Sequence, residues 1–160
     1  MSASDDPHAK IMSWDRARRW REAQRGTVVF TNGVFDLLHP GHVDVLLGAR
    51  REGDVLIVGV NGDDSVQRLK GPGRPLRTAA ERCYVLAALQ MVDAVVEFTH
   101  DTPFELIAEL RPDVLVKGGD YTEASIVGAA EVRARGGRVV VVPLTPGHST
   151  TSTIERLRGT

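Results

Sequence analysis

The sequence has a single cysteine, Cys83. An intrachain disulfide is therefore excluded, and no cysteine cluster exists that could hold zinc. Cys83 falls on a helical apolar stripe with Ala79 and Leu86, which predicts a buried, inert thiol. An excess of one charge is also missing. Twenty Lys and Arg against 21 Asp and Glu leave a net charge of −1, so the balance does not point to nucleic acid as a partner. The local group Arg16, Arg18, Arg19, Arg21 and Arg25 reads as a solvated helix face. No apolar run approaches a membrane span. Met1 to Lys10 is polar and lacks the apolar stretch of a signal peptide. A cytoplasmic protein with no membrane partner is expected.

What is present suits one hydrophobic core. Hydrophobic residues make up 42% of the 160-residue chain and charged residues 26%, a globular composition. Residues 1–11 read as a disordered tail and 12–160 as a single domain. Ser13 is placed to cap a helix running to about Gln24, with Trp14, Ala17 and Trp20 facing inward. A strand is expected over 27–31, then a helix after His42 that turns Val45, Leu46 and Ala49 to the core. Residues 54–60 are almost wholly apolar, as in a strand buried on both faces of a parallel sheet. A short helix follows to about Leu69.

Residues 70–75, Lys-Gly-Pro-Gly-Arg-Pro, hold two Gly and two Pro in six positions and read as a mobile basic loop. Thr78-Ala79-Ala80-Glu81 is a capping box that starts a helix to about Leu89. Strands are then expected over 92–98, 113–117 and 138–144, with helices over 103–111, 128–135 and 149–158 between and after them. Strictly alternating strands and helices imply an α/β class: a Rossmann-like three-layer α/β/α sandwich around a five-stranded parallel sheet.

The stretch from Thr31 to His42, Thr-Asn-Gly-Val-Phe-Asp-Leu-Leu-His-Pro-Gly-His, joins the first strand to the second helix. Pro40 suits a first helical turn, where its missing N–H costs nothing. Gly41 lets a ligand approach the backbone closely. The free N–H groups and dipole of the new helix favour an anion, and His39 and His42 add two imidazole donors beside it. A phosphate ester fits that combination. The helix start favours neutral imidazole, whereas bound phosphate would favour imidazolium. Gly147-His148-Ser149-Thr150-Thr151 offers a second helix start with three hydroxyls, suited to β- and γ-phosphates. Lys70, in the Gly/Pro loop, could swing over a triphosphate as a point charge.

These stretches, with Val58-Gly59-Val60-Asn61, Arg68-Leu69-Lys70-Gly71-Pro72 and Val116-Lys117-Gly118-Gly119-Asp120-Tyr121, resemble the nucleotidyltransferase superfamily whose first motif is His-x-Gly-His. Within it, the adenylyltransferase domains of ADP-heptose synthases are the most similar. The resemblance implies the strand order 3-2-1-4-5, with a cleft beyond the carboxyl ends of the strands at the switch point. It implies transfer of AMP from ATP to a heptose 1-phosphate, with Mg²⁺ carried mainly by phosphate oxygens and water and no protein metal site.

By the same resemblance His39, His42 and Lys70 are the catalytic candidates. Nucleotide binding falls to Thr31, Asn32, Gly33, Val34, Phe35, Gly41, Arg82, Gly147, His148, Ser149, Thr150 and Thr151 as well. Val34 and Phe35 would act through their backbone, and Arg82 would bind phosphate or pair with a carboxylate. Lys117 and Gly118 would meet the acceptor. Asp120 would meet sugar hydroxyls or help hold Mg²⁺, and Asp36 would orient its loop or meet the sugar phosphate. A separate heptose kinase would supply the substrate, and a homodimer is a further expectation. A glycerol-phosphate or other cytidylyltransferase is the neighbouring alternative. Glycerol-phosphate cytidylyltransferases carry an arginine where Leu144 stands here. A nucleotide-sensing module without turnover would be expected to lose a histidine or the Ser-Thr-Thr run.

Overall fold

The computed structural model describes residues 5–159. Five parallel strands, β1 (Val28–Gly33), β2 (Val55–Asn61), β3 (Ala94–Phe98), β4 (Val114–Gly118) and β5 (Arg138–Val142), form one sheet in the order β3-β2-β1-β4-β5. The helices are α1 (Trp14–Ala23), α2 (Pro40–Arg50), α3 (Asp63–Lys70), α4 (Ala79–Ala87), α5 (Phe104–Leu110), α6 (Ala129–Ala134) and α7 (Thr150–Arg158). The expected class and strand order are both observed.

The caps legible in the sequence form as written. Ser13 accepts from Arg16 N, and Thr78 and Glu81 close a reciprocal capping box. The alternation of β1 and β2 divides the core between two faces of the sheet. Phe30 and Ile57 pack with Ala17, Leu106, Leu110 and Val132 on one face. Val29, Leu56 and Val58 pack with Leu46, Ala49, Cys83 and Leu86 on the other. Burial pushes the Cys83 thiol up to about 11, so the thiolate is scarce and the residue is inert.

Three aspartates secure the amino ends of the strands. Each directly precedes a strand and accepts a backbone N–H in, or directly before, the neighbouring one. Asp54 accepts from Thr27 N at 2.7 Å, Asp93 from Leu56 N at 2.8 Å and Asp113 from Val28 N at 2.8 Å. These bonds satisfy donors that the parallel ladder leaves open.

One expectation changes. Residues 1–4 of the tail lie outside the described residues, but from Asp5 onward the segment is built onto the domain. Pro7–Lys10 form a 3-10 turn capped by Asp6, Lys10 Nζ donates to Leu89 O at 3.3 Å, and Ile11 bridges to Val95. Polarity suggested a loose tail, but its anchors are long-range contacts with no local periodicity. The arginines Arg16, Arg18, Arg19 and Arg25 are exposed as expected and only Arg21 is partly buried, but several make surface bonds. Arg16 donates to Ala9 O at 2.8 Å, Arg18 pairs with Glu109 at 3.3 Å, and Arg21 pairs with Asp113 at 3.1 Å.

Candidate active site

Beyond the carboxyl ends of β1 and β4, where the strand order reverses, lies a cleft of about 650 Å³. The starts of α2 and α7 both open onto it. It gathers Asn32 to Asp36 from the end of β1, His39, Gly41 and His42 from α2, Lys70 from α3, Lys117 and Gly118 from β4, and His148 to Thr151 from α7. Segments more than a hundred residues apart in sequence therefore meet. Thr31, Gly147 and Asp120, expected to be functional, do not line this cleft. Thr31 is buried within β1.

The two motif histidines cap α2 with their own rings. His39 Nδ1 accepts from Gly41 N at 3.1 Å, and His42 Nδ1 accepts from His39 N at 3.3 Å. This is a capping box in which imidazoles replace the usual hydroxyl and carboxylate. A ring nitrogen that accepts an N–H carries no proton, so each neutral ring holds its proton on Nε2. The rings stack at 3.8 Å between centroids, and His148 lies 6.2 Å beyond His39 with its ring nearly parallel. A Cβ on Gly41 would come within 2.9 Å of His39 Cε1. Glycine there leaves the His39 ring room to fold back onto the helix start.

Burial, with His148 adding to it, holds the His39 pKa below the ordinary imidazole value. Burial and then the neighbouring His39 push His42 down from 6.5 to about 4. Both rings are therefore neutral at pH 7, and protonating Nδ1 would break the capping box. The unfolded chain binds the His42 proton more readily than the native one. The stability tied to neutral His42 is thus complete above pH 6.5 and is lost as pH falls toward about 4. The melting temperature should drop across that window, and His42→Asn should flatten the drop. An unchanged slope in the variant would assign the pH dependence to other groups.

The loop after β1 is held by two ionic clamps. Asp36 has a fully buried carboxylate that accepts from Arg74 Nε, Leu76 N and Arg77 N, each at 2.9 Å. Burial would raise its pKa, but those bonds, first from Leu76 and Arg77 and then from Arg74, hold it below the usual carboxylate value. Of the two roles expected for Asp36, orienting the loop is the one its contacts fulfil.

Arg82 is the second clamp. Its side chain is fully buried, donating to Val34 O at 2.7 Å, Arg77 O at 3.0 Å and Asp63 Oδ1 at 2.8 Å. The expected phosphate contact is corrected accordingly. The carboxylate-pairing alternative is realised, and Arg82 stands outside the cleft. Between the clamps, Phe35 takes a left-handed φ of 51°, a conformation costly for a non-glycine residue. That turn sends the Phe35 ring into the core, 5.3 Å from the ring of His42.

Lys70 is the last residue of α3 rather than part of the loop, and the loop is pinned at Arg74, Leu76 and Arg77. Between Lys70 and these anchors lie Gly71, Pro72 and Gly73, with Gly71 N donating to Gln67 O at 2.9 Å. Of the hydroxyls at the start of α7, Ser149 caps the helix by accepting from Ser152 N at 3.0 Å, and Thr150 donates to Leu37 O at 3.1 Å. The latter bond ties α7 to the segment leading into α2. Tyr121 and Leu144 line the cleft as well. Tyr121 closes the Val116–Tyr121 motif, whose sequence alone implies no role for it.

The cytidylyltransferase-like family profile matches residues 30–156. The bifunctional protein HldE of Acidiphilium cryptum is 57% identical over 145 residues, covering 90% of this chain and 29% of that protein. The HldE of Syntrophotalea carbinolica is 58% identical over 137 residues, covering 85% of this chain and 28% of that protein. The chain thus spans less than a third of the length of these curated relatives. Among solved structures, a lipopolysaccharide core biosynthesis protein from Thermoplasma volcanium superposes with a TM-score of 0.62 at 25% identity, over 75% of this chain and 97% of that one. A pantoate-beta-alanine ligase from Francisella tularensis shares the fold alone, with a TM-score of 0.58 at 14% identity over 85% of this chain and 68% of that one.

Proposed function

The chain belongs to the cytidylyltransferase-like family, and from that premise we propose that it transfers AMP from ATP to a heptose 1-phosphate, giving an ADP-heptose and pyrophosphate. A phosphate oxygen of the sugar phosphate forms a bond to the α-phosphorus. The bond from that phosphorus to the oxygen bridging the β-phosphate breaks, and pyrophosphate leaves with the electron pair. The reaction asks for alignment and charge stabilisation more than covalent help. The observation that carries the reading is the stacked pair His39 and His42, both with Nε2–H free to donate, on a cleft shared with the start of α7 and with Lys70 and Lys117.

In this scheme His39 and His42 donate to the α-phosphate as charge builds, and the backbone of Val34 and Phe35 flanks the nucleotide. The start of α7, from His148 to Thr151, receives the outer phosphates. Lys70, at the end of α3, supplies positive charge to the triphosphate, and Lys117 holds the acceptor phosphate. Among the described residues no group of three His, Cys, Asp or Glu is arranged to bind a metal. Mg²⁺ brought with ATP and held mainly by phosphate oxygens and water would supply charge neutralisation on the triphosphate. The sugar phosphate would come from a kinase reaction, and a homodimer in the cytoplasm is part of the proposal. No helix among the described residues is long and apolar enough to cross a membrane.

Leu144 bears on the cytidylyltransferase alternative. It lines the cleft with 57% of its surface exposed, so the position where glycerol-phosphate cytidylyltransferases carry an arginine is apolar here. Pyrophosphate release should be followed with four nucleoside triphosphates crossed against α- and β-heptose 1-phosphates and glycerol 3-phosphate. ATP with one heptose 1-phosphate is expected to be fastest by a wide margin. A faster reaction of CTP with glycerol 3-phosphate would end the heptose reading and leave the family assignment standing.

A further inference from the structure

Lys70 and Lys117 both line the cleft. Lys117 sits at the end of β4 with its pKa held down, first by burial and then by the charge of Lys70. Among the described residues neither lysine lies within 4.0 Å of a carboxylate. Like charges gathered without a counter-ion destabilise the empty protein and favour a bound anion.

The wall above this cationic floor is apolar. Lys117 Nζ lies 5.4 Å from the centroid of the Tyr121 ring, within cation–π range. Tyr121 remains 46% exposed, and Leu144 and Val127 stand exposed on the same cleft. The chain reaches this arrangement through Gly119, whose φ of +124° is open to glycine and strained for other residues. A Cβ there would sit 3.1 Å from Tyr121 Cε2 and 3.8 Å from Leu144 Cδ2. The turn brings Tyr121 over Lys117 and into the cleft, while Asp120 is left out of the lining.

A phosphate on Lys117 would have its attached group against that ring. The polyhydroxy ring of a sugar presents an apolar C–H face that an aromatic ring can cover, and a three-carbon alcohol has little such face to offer. We propose that Tyr121 determines acceptor specificity, its ring covering the C–H face of the sugar while Lys117 beneath it takes the sugar's phosphate. The inference rests on the adenylyltransferase reading above.

Calorimetric binding of heptose 1-phosphate, glycerol 3-phosphate and ATP to the wild type, Tyr121→Ala and Tyr121→Phe tests it. Tyr121→Ala should weaken heptose 1-phosphate binding about five- to tenfold, the scale of one lost aromatic contact. Tyr121→Phe should stay near wild type, since the ring and not the hydroxyl makes the contact. ATP and glycerol 3-phosphate should bind all three proteins alike. Unchanged heptose 1-phosphate binding by Tyr121→Ala would overturn the assignment while leaving the enzyme reading intact. Weakened ATP binding in its place would move Tyr121 to the nucleotide. A wild type that binds no sugar phosphate would overturn the enzyme reading as well, so the two failures are distinguishable.

Discussion

Replacing His42 by alanine is expected to lower kcat by ~10²-fold or more, the scale seen when one preorganised donor to a developing anion is removed. The ring is neutral, with its pKa pushed down to about 4, and Nδ1 is occupied by His39 N. Its one available proton is therefore on Nε2, ready to donate without reorganisation as charge builds on the α-phosphate. Alanine also removes the acceptor from the cap of α2, so a fall in stability of about 1 kcal/mol should accompany the loss of rate.

His39 allows the two contributions to be separated. Asparagine is a strong N-cap residue and can still accept the backbone N–H that His39 Nδ1 now takes. His39→Asn should then melt near the wild-type temperature while kcat falls on the same ~10²-fold scale. Steady-state kinetics and thermal melts on the same preparations decide the matter. Near-normal turnover by a folded variant would remove that histidine from catalysis. Lost turnover that tracked lost stability would reduce its role to capping.

Asp36→Ala is expected to cost about 3–5 kcal/mol of unfolding free energy at pH 7, the range for breaking a buried ion pair. The wild-type carboxylate is fully buried and the Arg74 side chain is 12% exposed. The variant would strand that guanidinium and the N–H groups of Leu76 and Arg77. Asp36→Asn keeps one acceptor oxygen and should fall between the two.

Because the native pKa of Asp36 is lowered, its contribution is present above the unfolded carboxylate pKa. It is lost as pH falls through the native value. Urea unfolding at pH 7 and at acid pH measures both effects. A cost under about 1 kcal/mol at pH 7 would mean that water replaces the carboxylate and that the loop does not depend on it. The same clamp bears on Lys70. With residues 74–77 fastened to Asp36, closure over a triphosphate would be confined to the short glycine-bearing segment before Arg74.

Arg82 and Asp36 show where sequence reasoning stopped. Both are visible as charged residues in informative places, and for each the sequence leaves two roles open. The deciding contacts join Arg82 to Val34 and Asp63, 48 and 19 residues away, and Asp36 to Arg74, 38 residues away. No local pattern encodes them. Tyr121 is a similar case. Adjacent residues in an irregular turn have no fixed periodicity, so only the backbone path through Gly119 decides that Tyr121 rather than Asp120 lines the cleft.

The sequence by itself determined the alternation of strands and helices, because 2.0- and 3.6-residue periodicities and end caps act within a few residues of one another. Ser13, the Thr78–Glu81 box and the almost wholly apolar run of β2 are such signals. It also determined that a helix start carrying Pro40, Gly41 and the two histidines follows β1, since all four lie within one turn. Tertiary structure decided which distant charges neutralise each other and which stay free to meet a ligand. Desolvation forces that choice, because a buried charge must find a partner, and which partner lies within reach depends on the packing of the whole chain.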